Sequence, residues 1–198
     1  MIHQNQCGRI FPNEKILRRL RSRKSQSDAA SFVDQLTMTE APHEPFMKEA
    51  LKQAANALEK GEVPVGAVVV FKKRIVAKAH NQTETLRDPT AHAEMIALTQ
   101  ASETISQGEK GHRGSLEGAT LYVTLEPCPM CAGALVLTKC GSLVYGAADA
   151  KAGACQSLYR ITQDDRLNHR LKVVSGVLEP EAKALLQEFF KNLRKERR

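Results

Sequence analysis

The spacing of apolar positions changes along this chain, and the changes separate helices from strands. Phe46, Ala50, Leu51, Ala54 and Leu58 recur at helical intervals after Pro45 and stop at Gly61, which predicts a first helix. The apolar run Val65 to Phe71, the basic turn Lys72-Lys73-Arg74 and the run Ile75 to Ala79 predict two antiparallel strands joined as a hairpin. A loop from Asn81 to Pro89 follows. Asp88-Pro89-Thr90 supplies turn and capping groups just before Ala91 to Ala101, which has the propensity and pattern of a helix. Residues 102 to 118, rich in glycine and charge, predict a surface loop. Beyond it the pattern predicts a strand over Thr120 to Leu125, a helix over Cys128 to Thr138 opened by prolines, and a short strand over Ser142 to Tyr145. A further strand over Lys172 to Ser175 and an amphipathic helix over Glu179 to Arg194 complete the series. Strands alternating with helices of this length imply an α/β layer fold around a mostly buried sheet, with no internal repeat.

With 198 residues, 42% of them hydrophobic, the chain can build one domain of ordinary size plus a tail. Residues 1–40 carry the cluster Arg18, Arg19, Arg21, Arg23 and Lys24, then a Ser/Gln stretch without strand-like pattern, and are expected to be a poorly ordered basic extension to a domain spanning 41–198. The extension reads as a nucleic-acid-binding arm, an organelle transit peptide, or residues upstream of a start at Met38. Glu14, Asp28 and Asp34 argue against the transit peptide, which is usually poor in acids. The formal charge of +7 and pI near 9.3 suit an anionic partner, although many proteins with a modest basic excess have none. Five cysteines and no signal-peptide core argue against a secreted disulfide framework and for a reducing, cytoplasmic setting. No apolar run approaches the roughly 18 residues of a membrane-spanning helix, so a soluble protein is expected.

Two short motifs carry chemistry. His92-Ala93-Glu94 opens one predicted helix and Pro127-Cys128-Pro129-Met130-Cys131 opens another, with a strand between them. Cysteines three apart at a helix start can grip one tetrahedral ion, and two thiolates with an imidazole suit zinc. Three protein ligands leave the fourth position open, as in catalytic rather than structural zinc sites. Glu94, two residues from His92, is placed to move protons without ligating the metal. A lone Cys-x-x-Cys is more often a structural clip and a lone His-x-Glu is common by chance; together, in this order, they match the signature of zinc deaminases. His80 and His169 fit satisfied or solvated side chains better than ligands, and Cys7, Cys140 and Cys155 fit ordinary thiols. Phe189 and Phe190 continue the pattern of Leu185, Leu186 and Leu193, so at least one is expected in the core while the other could stack on a base.

The stretches EVPVGAVVV from Glu62, DPTAHAEMIAL from Asp88, ATLYVTLEPCPMCAGAL from Ala119 and YGAADAKAGA from Tyr145 resemble the bacterial-type tRNA adenosine deaminases of the cytidine-deaminase-like superfamily. The likeness runs from about Phe46 to Arg194. It implies a three-layer α/β/α fold with a central five-stranded mixed sheet. It also implies a homodimer, one zinc per subunit, and conversion of adenosine to inosine at the first anticodon position of a tRNA anticodon stem-loop. By matching position, His92, Cys128 and Cys131 would bind zinc and Glu94 would shuttle protons. The backbone N–H groups of Ala93 and Cys128 would face the exocyclic position, Asn81 would contact the base, and Asp149 would lie near the target ribose. The chain departs from the family in Ala148, where relatives can carry a basic residue, and in its N-terminal extension. Two other functions compete. A free-base or nucleoside deaminase acting on guanine or cytosine would share the zinc and glutamate machinery. A catalytically silent RNA-binding subunit would lack the shuttle glutamate, so Glu94 argues against it.

Overall fold

The computed structural model describes residues 42–108 and 113–196. The basic cluster of the extension, Cys7, Arg197 and Arg198 lie outside them. The described chain runs α1 (Glu44–Glu59), β1 (Gly66–Phe71), β2 (Arg74–His80), α2 (Thr83–Leu86), α3 (Ala93–Gly108), β3 (Thr120–Leu125), α4 (Pro129–Leu137) and β4 (Ser142–Ala147). A 3₁₀ turn (Ile161–Gln163), β5 (Lys172–Val174) and α5 (Glu179–Glu196) follow.

Strands β1 and β2 form the expected hairpin, closed by two residues, Lys72 and Lys73, with φ of 47° and 61°. A two-residue turn with both φ values positive matches the twist of its strands, so the geometry holds even though lysines stand where Asn-Gly is usual. The five strands form one sheet in the order β2-β1-β3-β4-β5. The β1–β2 and β1–β3 pairs are antiparallel, and the β3–β4 and β4–β5 pairs are parallel.

Alternation along the strands sends side chains to two cores. Ala67, Val69, Leu121, Val123, Leu143 and Tyr145 pack with Ala97, Leu98 and Ala101 of α3 and with Ala132 and Leu135 of α4. On the other face Val68, Val70, Tyr122 and Val144 pack with Met47 and Ala50 of α1, while Leu51 and Ala54 of α1 meet Ala182 and Leu185 of α5. This is a three-layer α/β/α sandwich with a mixed sheet. Helix α1 lies so close to β1 that a Cβ on Gly66 would fall 2.1 Å from the Ala50 carbonyl oxygen. Glycine is what permits that approach.

The structure corrects several boundaries. Helix α3 runs on to Gly108, burying Ile105 where a surface loop is expected from residue 102. The loop after Asn81 contains the short helix α2, and Cys128 caps α4 from outside rather than forming its first turn. Neither Phe189 nor Phe190 joins the fully buried core: Phe189 is half-buried and Phe190 is 42% exposed.

Candidate active site

The two helices of one face begin beside each other, and each beginning supplies part of the site. Pro129 occupies the start of α4 and disfavours helical backbone at the residue before it, and Cys128 is extended, with ψ of 173°. Cys131 then lies in the first turn of α4 and is fully buried. At the other start, the Asp88 carboxylate accepts from the N–H and the hydroxyl of Thr90 at 2.8 and 2.7 Å. That turn delivers His92, whose carbonyl accepts the Ile96 N–H at 3.1 Å.

His92 Nδ1 lies 3.7 Å from Cys128 Sγ and 3.5 Å from Cys131 Sγ, and the two sulfurs are 3.7 Å apart. A tetrahedral zinc with bonds of about 2.3 Å to sulfur and about 2.05 Å to nitrogen requires edges of about 3.8 Å between sulfurs and about 3.6 Å between sulfur and nitrogen. The three donors therefore have the spacing that a single tetrahedral ion needs, and they are the only such metal-binding group among the described residues. Both helix N-termini favour negative charge here. A hydrogen bond from Cys131, with help from His92 and against burial, brings the Cys128 thiol down to about 4. Donation to Cys128 and burial push Cys131 up, and the bond to Cys128 raises His92.

Glu94, in the first turn of α3, is 4% exposed, and burial pushes its carboxyl above the usual carboxylate range. A carboxyl held in this way can take up and release a proton closer to neutrality.

Two further carboxylates, Glu62 beside Asn81 and Glu126 beside Pro127, are buried, and sequence reasoning assigned neither a role. Glu62 is fully buried at the end of α1 and accepts from Asn81 Nδ2 at 3.2 Å, Thr83 Oγ1 at 3.3 Å, Glu84 N at 3.1 Å and Thr85 N at 2.7 Å. Glu126, 2% exposed, accepts from the N–H groups of Asp149, Cys155, Gln156 and Ser157 and from the Ser157 hydroxyl. In both, burial acts to raise the pKa but the donors outweigh it and hold the carboxyl below its ordinary value. Gly153 completes the second network: a Cβ there would lie 2.4 Å from Glu126 Oε2. Ala154 N also donates to Pro127 O at 2.8 Å, so the loop after β4 is fastened directly behind Cys128. Both glutamates lie within the quoted stretches, but only the fold reveals that backbone donors converge on them.

The other candidates divide. Asn81 is buried beside Glu62. Asp149 is half-buried, with Oδ1 accepting from Lys151 N and Ala152 N. Ala93 is the first residue of α3, between His92 and Glu94. Phe189 lines a hollow of about 140 Å³ with Leu58, Gly61 and Leu193, and meets Phe190 edge-on at 5.3 Å. Neither ring belongs to the group formed by His92, Cys128 and Cys131. His169 Nε2 donates to Cys140 O at 2.7 Å, His80 faces Lys60 Nζ at 3.0 Å, and burial raises Cys140 and Cys155 to about 11 and about 12. None of these four belongs to the metal group.

The MafB19-like deaminase family matches residues 41–194. The tRNA-specific adenosine deaminase of Bacillus subtilis strain 168 is 50% identical over 153 residues, covering 77% of this chain and 91% of that protein. The tRNA-specific adenosine deaminase of Aquifex aeolicus is 49% identical over 149 residues, covering 75% and 94%. A solved structure from a study of A-to-I editing by tRNA:A34 deaminases at the wobble position of transfer RNA is 42% identical, with a TM-score of 0.65 over 72% of this chain and 99% of that one. With the fold, the His-Cys-Cys group and identities of this size in agreement, the chain belongs to the family of tRNA-specific adenosine deaminases.

Proposed function

We propose that this protein converts adenosine to inosine at the first anticodon position of tRNA, releasing ammonia, and that His92, Cys128 and Cys131 hold one zinc ion per subunit while Glu94 moves protons. The observation that carries the reading is the match between the three donor separations and a tetrahedral zinc site, with a buried carboxyl two residues from one ligand. Zinc held by His92, Cys128 and Cys131 would supply the Lewis acidity that makes water a nucleophile at neutral pH. Glu94 takes the proton of the attacking water, passes it to the ring nitrogen beside the attacked carbon, and delivers a second proton to the departing amine. The N–H groups of Ala93 and Cys128 face the exocyclic position, Asn81 contacts the base, and Asp149 uses the carboxylate oxygen left by Lys151 and Ala152 near the ribose. Phe190, the more exposed of its pair, is the ring available to stack on a nucleotide, with Phe189 anchoring it against α1.

The active unit is a homodimer working in the cytoplasm. No helix among the described residues is long and apolar enough to cross a membrane. The deaminase domain spans 41–198, supported by the family match from residue 41 and the start of α1 at Glu44. The test is positional: a stem-loop with adenosine at the first anticodon position should yield inosine, and one with that adenosine moved by one nucleotide should not. Equal conversion of both would refute the wobble assignment.

A further inference from the structure

We propose that Glu62 is a positioning residue for the deamination, acting by setting the Asn81 side chain against the substrate base. The inference rests on the reading that Asn81 contacts the base. Glu62 is tethered to the end of α1 through its own N–H, which donates to Ala57 O at 3.0 Å, and its carboxylate is fully buried. A single oxygen, Oε2, accepts from Asn81 Nδ2, from Thr83 Oγ1 and from Glu84 N. Asn81 Nδ2 also donates to Thr83 Oγ1 at 3.0 Å, so Asn81, Thr83 and Glu62 close a ring of three hydrogen bonds.

The chemistry of that ring decides its orientation. An ionised carboxylate only accepts, so the asparagine must turn its amide nitrogen, not its carbonyl oxygen, towards Glu62. The one amide nitrogen then serves both acceptors, and turning the amide over would break both bonds. None of the four donors is a cation. Burying a carboxylate without a counter-charge is costly unless its lone pairs are satisfied, and here the donors come from Asn81 and from the segment directly after it. The carboxylate thus ties the Asn81 side chain to Thr83, Glu84 and Thr85 of α2. Neutral glutamine in its place would offer one acceptor where two are used and would set an NH₂ against other donors.

Asn81→Ala, Glu62→Gln and their combination are compared with wild type by steady-state kinetics on an anticodon stem-loop, using the full zinc-loaded chain. Each single variant should raise KM about tenfold with kcat within about threefold and zinc content unchanged, and the double variant should match Asn81→Ala within about twofold. Non-additivity of this kind is the signature of action through Asn81, which a general loss of stability would not produce. Thr83→Val removes the hydroxyl of the ring while leaving Glu62 in place; it should raise KM only where Asn81 is present, and it decides the matter if Glu62→Gln does not fold. Multiplying effects in an active wild-type background, or an unchanged KM in Glu62→Gln or Thr83→Val, would overturn the positioning role alone, whereas an unchanged KM in Asn81→Ala would overturn the reading that Asn81 contacts the base and this inference with it. A wild-type protein without activity on the stem-loop would overturn the functional reading and this inference with it.

Discussion

His92 and Cys131 are 39 positions apart in the chain, yet their Nδ1 and Sγ atoms stand 3.5 Å from each other. Two helix starts create that contact, one set by the Asp88–Thr90 turn and one by the prolines around Cys128. Because the donor spacing suits zinc among the protein groups alone, purified protein should contain about one zinc per chain by atomic absorption. Cys131→Ala removes the fully buried member of the proposed ligand set and should abolish retention through gel filtration. Full retention in that variant would mean that the ligand set is wrong.

If Glu94 moves protons without holding the ion, as proposed, Glu94→Ala should lower kcat by about 10²- to 10⁴-fold while zinc content and stem-loop binding persist. Stability offers a second readout. Burial raises the folded-state pKa of Glu94, so its protonated form is favoured in the folded protein. That contribution is fully present below the ordinary carboxylate pKa and is lost as pH rises through the raised value. Glu94→Gln should therefore raise the Tm of chelator-treated protein more at about pH 8 than at about pH 4. An equal shift at both would show that burial does not govern this group.

Gly153→Ala would place a methyl carbon 2.4 Å from Glu126 Oε2 and 2.5 Å from Asp149 O. The carboxylate is pinned by backbone donors and cannot step aside cheaply, so urea unfolding should show a loss of about 1–3 kcal/mol. An unchanged midpoint would mean that the loop after β4 moves freely.

Lys191, Arg194 and Lys195 lie exposed near the end of α5. Replacing all three by alanine should raise KM for the stem-loop, leave zinc in place, and flatten the log–log dependence of binding on salt by up to about 2, the value for three lost phosphate contacts. An unaltered salt slope would place the RNA elsewhere.

The metal group was legible in the sequence because its parts are local: His92 and Glu94 share one helix start, and Cys128 and Cys131 another. The strands were legible for the same reason, since Thr120–Leu125 and the Lys72-Lys73 hairpin announce themselves by alternation and turn position. Glu62 and Glu126 were not, because their partners are backbone N–H groups and a few side chains from segments about 20 to 30 residues away, and that convergence leaves no mark on composition. Helix α3 outran its expected end because Ile105 finds a buried place against the sheet, which tertiary packing supplies and local glycine and charge conceal.

A tRNA-specific adenosine deaminase takes its adenosine from RNA. The most direct measurement is the initial rate of deamination by zinc-loaded protein on an anticodon stem-loop, run beside free adenosine, guanine and cytidine at equal concentration. A loop nucleotide is already partly unstacked, so it can enter a deep pocket at little cost, and flanking nucleotides add contacts that a free base lacks. Inosine is expected from the stem-loop at a rate at least about 100-fold above any of the free compounds, and Glu94→Ala should abolish it. Faster turnover of free guanine or cytidine than of the stem-loop would contradict it and make the protein a free-base or nucleoside deaminase.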